Sequence, residues 1–258
     1  MSNLIPISFA LTPRMQSFIE LRDALRCLYH AIDNTSVYAW LLAAKEINDL
    51  LIGEGHKKPA TPNILSLFHS MRKHLVAIAE KHPEFELQLQ KACKQLDTHV
   101  GNIQAQLPGI ADYLACDGWL NAYTEATRKN DLLGHKLAIP QTFQALWLTN
   151  GEQARKLQLL VEPVMQAIEH LNQMFHAHVA WDYRTAQKGC DQIILGAQDD
   201  IGLLIIGMKS SDLAQGIVPD CAGFRSTVRL RFTQWKPGEI VKEFTQDQEY
   251  AVMMVPLT

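Results

Sequence analysis

Thr227-Val228-Arg229-Leu230-Arg231-Phe232 alternates strictly between polar or cationic and apolar side chains, and its reading decides the fold. Period two is the signature of a strand, because successive side chains leave opposite faces. The same parity puts Arg225, Arg229 and Arg231 on one face. Nearby, Gln192-Ile193-Ile194-Leu195 and Ile201-Gly202-Leu203-Leu204-Ile205-Ile206 also read as strands, and Glu249-Tyr250-Ala251-Val252-Met253-Met254-Val255 closes the sheet. Upstream of Ala177-His178-Val179-Ala180 the apolar residues instead return every three or four positions, the helical period. The chain is therefore predicted to be α+β and mainly α-helical. A helical domain over 1–180 precedes a small antiparallel β domain over 181–258.

Helix punctuation organises the first part. Thr12-Pro13 and Thr61-Pro62 each offer an N-cap followed by proline at the first helical position. They open helices carrying Met15, Phe18, Leu21, Leu25 and Leu28, and Ile64, Phe68, Met71 and Leu75. A helix from about Ser36 to Gly53 lies between them. The broad apolar faces of the first helices make them the candidate surface for self-association. His82-Pro83 ends the third helix and Pro83 starts a fourth, which Pro108-Gly109 is expected to break. Two further helices are expected between Ile110 and Lys129. Pro163 either starts a new helix or kinks a long one carrying Val164, Ile168, Leu171, Phe175 and His178. Gly134 to Pro140 reads as a non-helical link, Gly196 to Asp200 as a turn between two strands, and Lys209 to Phe224 as a long loop. The N-terminal apolar run is broken by Pro6 and Ser8 and resembles no export signal.

Composition narrows the function classes. The 258 residues are 47% hydrophobic and 20% charged, with a net charge of −3, so no global attraction draws the chain to nucleic acid or to an anionic membrane. The balance is reversed locally: Lys209, Arg225, Arg229, Arg231, Lys236 and Lys242 outnumber Asp212, Asp220 and Glu239. Five cysteines stand apart without a Cys-x-x-Cys, as expected of a reduced, cytoplasmic protein. No uncharged apolar stretch reaches the roughly 18 residues of a membrane span.

Catalytic signatures are missing. There is no nucleophile elbow, phosphate-binding glycine loop, dinucleotide fingerprint or His-Glu-x-x-His. His176 and His178 would point about 200° apart on a helix and could not share an ion. Asp199-Asp200 fits turn chemistry better than acid/base work. Neither a metal nor a cofactor is expected. The arginine strand remains as the candidate site. Guanidinium groups grip carboxylates in bidentate fashion, and Arg229 and Arg231 would stand about 7 Å apart along a strand. That spacing suits successive carboxylates of an extended peptide. Phe232 and Trp235 would add apolar contact, and Lys209 further positive charge. The same charges would equally discourage edge-to-edge pairing of strands.

The order of these features resembles the ZapD family, bacterial cell-division factors that bundle FtsZ filaments. The resemblance rests on Phe9-Ala10-Leu11-Thr12-Pro13-Arg14-Met15 with Phe18, Leu21 and Arg22, then on Leu137-Ala138-Ile139-Pro140 with Leu146-Trp147-Leu148. It continues through Glu162-Pro163-Val164, Gly189 with the strand from Ile201, and Pro219 with Thr227 to Phe232. It covers nearly the whole chain, and no single motif is strict. It implies a helical domain bearing a small β domain, a homodimer, and no enzymatic activity. It also implies a basic patch that takes the acidic, apolar C-terminal tail of FtsZ at the mid-cell division site in the cytoplasm. Arg231 matches the family's arginine before the strand-ending phenylalanine. Thr227 replaces an earlier one, with Arg225 and Arg229 near enough to substitute. A third family arginine falls on Glu54, with Lys57 and Lys58 just downstream as a secondary basic site, and Gln141-Thr142 replaces a family glycine pair. The alternative is a divergent adaptor of the same architecture that takes another acidic peptide or single-stranded nucleic acid.

Overall fold

The computed structural model describes residues 4–53, 59–128, 141–142, 144–145, 147, 152–177, 179–196, 201–224 and 227–256. The fold is α+β and mainly helical. The chain divides into two compact units, Ser17–Asn172 and the combination of residues up to Gln16 with those from Gln173 onward.

The helical unit holds α1 (Pro13–Asp33, its first turn counted with the other unit), α2 (Val37–Ile52), α3 (Thr61–Lys81), α4 (Glu86–Cys116), α5 (Gly118–Arg128) and most of α6 (Glu152–Ala177). Their apolar stripes are buried: Phe18, Leu21, Leu25 and Leu28 on α1, Trp40, Leu41 and Ile47 on α2, Phe68 and Leu75 on α3. The stripe of α1 is thus taken up inside the chain, whereas α2 leaves Tyr38, Leu42 and Ile52 exposed.

Proline breaks fewer helices than its chemistry suggests. Pro108 lies inside α4 and Pro163 inside α6, so the break expected at Pro108-Gly109 does not occur and the helix around Pro163 is one element. The reason is where each proline sits. Pro108 is exposed, as is Gln104, the residue four positions back whose carbonyl the proline cannot satisfy. Water can take that carbonyl while Ile103, Ile110 and Leu114 keep one buried stripe. Asp117 makes the real break. Its Oδ1 accepts the Leu120 N–H at 2.8 Å, capping α5.

The β unit contains two four-stranded antiparallel sheets, where the sequence predicted one. The first has the order β1 (Leu4–Ala10), β4 (Ile201–Lys209), β8 (Gln248–Pro256), β2 (Asp182–Ala186). The second runs β3 (Cys190–Ile194), β6 (Thr227–Gln234), β5 (Ile217–Phe224), and β7 (Lys242–Glu243) also pairs with β6. A short helix, α7 (Ser210–Ala214), precedes β5. Leu204, Ile206, Met208, Tyr250 and Val252 of the first sheet share a core with Ile193, Val228, Leu230 and Phe232 of the second.

Three sequence expectations change here. The N-terminal run is strand β1, paired with β4 from Leu4↔Lys209 to Ala10↔Leu203, so the β unit takes in the N-terminus as well as the residues after 180. Pro6 is tolerated because β1 is an edge strand. The expected loop from Lys209 to Phe224 is helix α7 and strand β5, with Pro219 again on an edge. The strands flanking Gly196 do not pair with each other. β3 joins β6 while β4 joins β1 and β8, and residues 197–200 lie outside the described set.

Candidate functional site

Strand β6 is the middle of the second sheet, hydrogen-bonded to β3 on one side and β5 on the other. Its pleat sends Val228, Leu230 and Phe232 into the core and leaves Arg229 and Arg231 exposed. The alternation read from the sequence is thus the alternation of the strand. Arg229 stands opposite Gln192 on β3 and Ala222 on β5; Arg231 stands opposite Cys190 and Asp220.

The two arginines line an open groove of about 560 Å³, together with Thr185, Gln187, Cys190, Asp191, Gln192 and Glu243. Arg231 Nη1 lies 3.8 Å from Glu243 Oε1, with side chains 48% and 79% exposed. A loose pair this exposed contributes at most about 1 kcal/mol, so an incoming carboxylate can compete for Arg231. No ion pair to Arg229 occurs among the described residues. Asp191 is committed to the groove wall: one oxygen accepts the Tyr250 hydroxyl and the other the Gln192 N–H, both at 2.6 Å. Burial, with that hydrogen bond to Asp191, pushes the Tyr250 hydroxyl well above its ordinary range, so it stays a donor.

The turn between β2 and β3 fixes one end of the groove. Gly189 has φ +71°, and a Cβ there would fall 1.8 Å from the Phe244 carbonyl oxygen. Its own carbonyl accepts the Phe232 N–H at 2.8 Å, tying the turn to β6. Trp235 lies past the other end of the strand, 57% exposed, with its indole N–H on Thr233 Oγ1 at 2.9 Å. Its parity matches that of Arg229, Arg231 and Thr233. It stands outside the groove lining, about 20 Å along the strand from Arg229 by the rise per residue.

Two more expected site residues are placed elsewhere. Phe232 is 1% exposed in the core and cannot touch a partner; its parity is that of Val228 and Leu230. Lys209 ends β4 on the other sheet, where its Nζ pairs with Glu249 at 2.6 Å, so it adds nothing to the arginine face. Arg225, Lys57, Lys58, His178 and the link from Gly134 to Pro140 lie outside the described residues.

The structure adds three features that the sequence reading missed. Asp191 and Glu243 put acid beside the arginines, so the groove is of mixed sign. Ile194 ends β3 on the arginine face, 73% exposed, and only its odd placement in the buried-exposed alternation with Ile193 could have signalled this. Ile240 and Val241 are 87% and 51% exposed in the turn after Trp235.

Among the described residues, no helix is long and apolar enough to cross a membrane, and no group of three potential metal ligands gathers. No protein-family model matches the chain, and no curated protein matches it.

Proposed function

We propose that the protein is a non-enzymatic crosslinker of the ZapD kind, which takes the acidic C-terminal tail of FtsZ along strand β6 and joins filaments as a homodimer at the division site. The observation that carries this reading is the outward projection of Arg229 and Arg231 on the central strand of the second sheet. Two identical patches on a dimer would bind two filaments, and avidity along a polymer lets each contact be weak.

The mixed lining favours a peptide over a polyphosphate. A phosphate backbone laid along β6 would carry its charge past Glu243 at every step, whereas a peptide presents separate carboxylates that can sit on Arg229 and Arg231 alone. Ile194 at one end of the face offers an apolar contact for such a peptide.

A fluorescent peptide of the FtsZ C-terminus, titrated with the protein and followed by anisotropy, tests the site. Replacing both arginines by alanine removes two exposed charge contacts worth roughly 0.5–1 kcal/mol each, so affinity should fall about 5- to 30-fold. Wild-type binding should weaken with salt, because exposed charges are screened over about 8–10 Å. Tighter binding of single-stranded DNA than of the tail, with a steep salt slope, would favour a nucleic-acid adaptor instead.

A further inference from the structure

The homodimer in this reading needs a contact surface, and the helical hairpin of α3 and α4 has the pattern of one. A groove of about 630 Å³ runs between these two helices, floored by the buried Leu75 and Cys93, with half-buried Ala79 and exposed Pro83 beside them. Val76 on its wall is 39% exposed, and Phe85 and Leu87 beside the hairpin turn are 49% and 85% exposed. Phe85 and Leu87 stand outside the groove lining, so Val76 is the exposed large apolar side chain within it.

The charges decide the occupant. Arg72, Lys94 and Asp97 line one end of the groove, where Arg72 Nε holds Asp97 at 2.9 Å across the two helices and Lys94 leaves the end net positive. Glu80 and Glu86 line the other end, with no cation beside them in the lining. Along α3 the order is Arg72, Val76, Glu80; along antiparallel α4 it is Lys94, Gln90, Glu86. Each cation is eight residues, two helical turns or about 12 Å, from its acidic counterpart, and Val76 and Gln90 are the midpoints. Rotation by 180° about an axis through those midpoints brings the cationic end of one hairpin onto the acidic end of another. An isologous contact requires one patch to complement itself in this way.

We infer that the α3–α4 face is the two-fold interface between copies of this chain, with Arg72 and Lys94 of each copy meeting Glu80 and Glu86 of the other over an apolar centre at Val76. This rests on the homodimeric reading above.

Charge reversal tests it by mass in sedimentation equilibrium. Wild type should be a dimer. Glu80→Lys/Glu86→Lys alone and Arg72→Glu/Lys94→Glu alone should be monomeric at the same concentration, and their equimolar mixture should return to dimer mass. All four positions are exposed, and unchanged far-ultraviolet circular dichroism checks the fold. The milder Glu80→Gln/Glu86→Gln, which creates no like-charge contact, should raise the dimer Kd roughly tenfold. Variants that dimerise as well as wild type, or a mixture that stays monomeric, would overturn the interface while leaving the tail site and a dimer built elsewhere intact. A wild-type monomer would overturn the interface and bivalent crosslinking together, and the peptide titration would still report on the arginines.

Discussion

Replacing Phe232 by alanine should damage the fold, whereas replacing its neighbours Arg229 and Arg231 should not. Phe232 is 1% exposed, and its ring centroid lies 5.7 Å from that of Tyr250 in the core between the two sheets. Truncation removes the buried ring and leaves a cavity, at a cost of about 3–5 kcal/mol. Domains are stable by only about 5–15 kcal/mol, and each kcal/mol moves the melting temperature of a chain this size by about 2–4 °C. The expected drop is therefore roughly 6–20 °C. The arginine pair projects into water, and its one ion pair among the described residues is the 3.8 Å contact with Glu243. Arg229→Ala/Arg231→Ala should therefore cost about 1 kcal/mol or less. Scanning calorimetry of the three proteins side by side is the assay. An arginine variant that melts as low as Phe232→Ala would mean that the face assignments of β6 are inverted. The argument for an accessible arginine face would then fail.

Three further outcomes follow from local geometry. Gly216 has φ +75°, and a Cβ there would lie 1.8 Å from the Trp235 carbonyl oxygen, so Gly216→Ala should cost more than about 1 kcal/mol and shift Trp235 emission, read by urea unfolding and fluorescence. Asp117→Ala should cost about 1 kcal/mol by uncapping α5 while Asp117→Asn keeps most of the cap, measured by the same unfolding curves. Burial, and then the charge of His170, hold His99 below its ordinary pKa of 6.5, and the two rings meet at 3.0 Å. The unfolded chain therefore binds that proton first as pH falls. Stability should be full above about pH 6.5 and decline below it, and His99→Gln should flatten the difference between unfolding midpoints at about pH 5 and about pH 7.5.

Much of the architecture was legible because it depends on local periodicity. The helix start at Thr12-Pro13, where Thr12 Oγ1 accepts the Met15 N–H, and the alternation from Thr227 to Phe232 can be read without knowing what lies opposite. At Thr61-Pro62, by contrast, the helix begins one residue early, with Ala60 at the cap position and no side-chain cap. The errors cluster at prolines. Pro6 and Pro219 suggested the absence of strands, and Pro108 a helix end, because proline removes a donor. In each case the missing donor falls on an edge or an exposed face, where tertiary context makes the loss cheap. The site was half legible. Parity correctly sent Arg229 and Arg231 outward, and the same parity already placed Phe232 on the opposite face, against its choice as an anchor. Asp191 and Glu243 reach the arginines through strand register, which pairs β6 with segments about 40 residues before it and about 10 after it, and nothing in a single sequence specifies that register. His99 meets His170 from a different helix for the same reason.

Low-speed sedimentation of FtsZ polymers with this protein tests the central claim most directly, because only bundles pellet. Wild type should carry polymer into the pellet in proportion to its concentration, and Arg229→Ala/Arg231→Ala, equally well folded, should leave it in the supernatant. Equal pelleting by the two proteins would remove the β6 arginines from the mechanism.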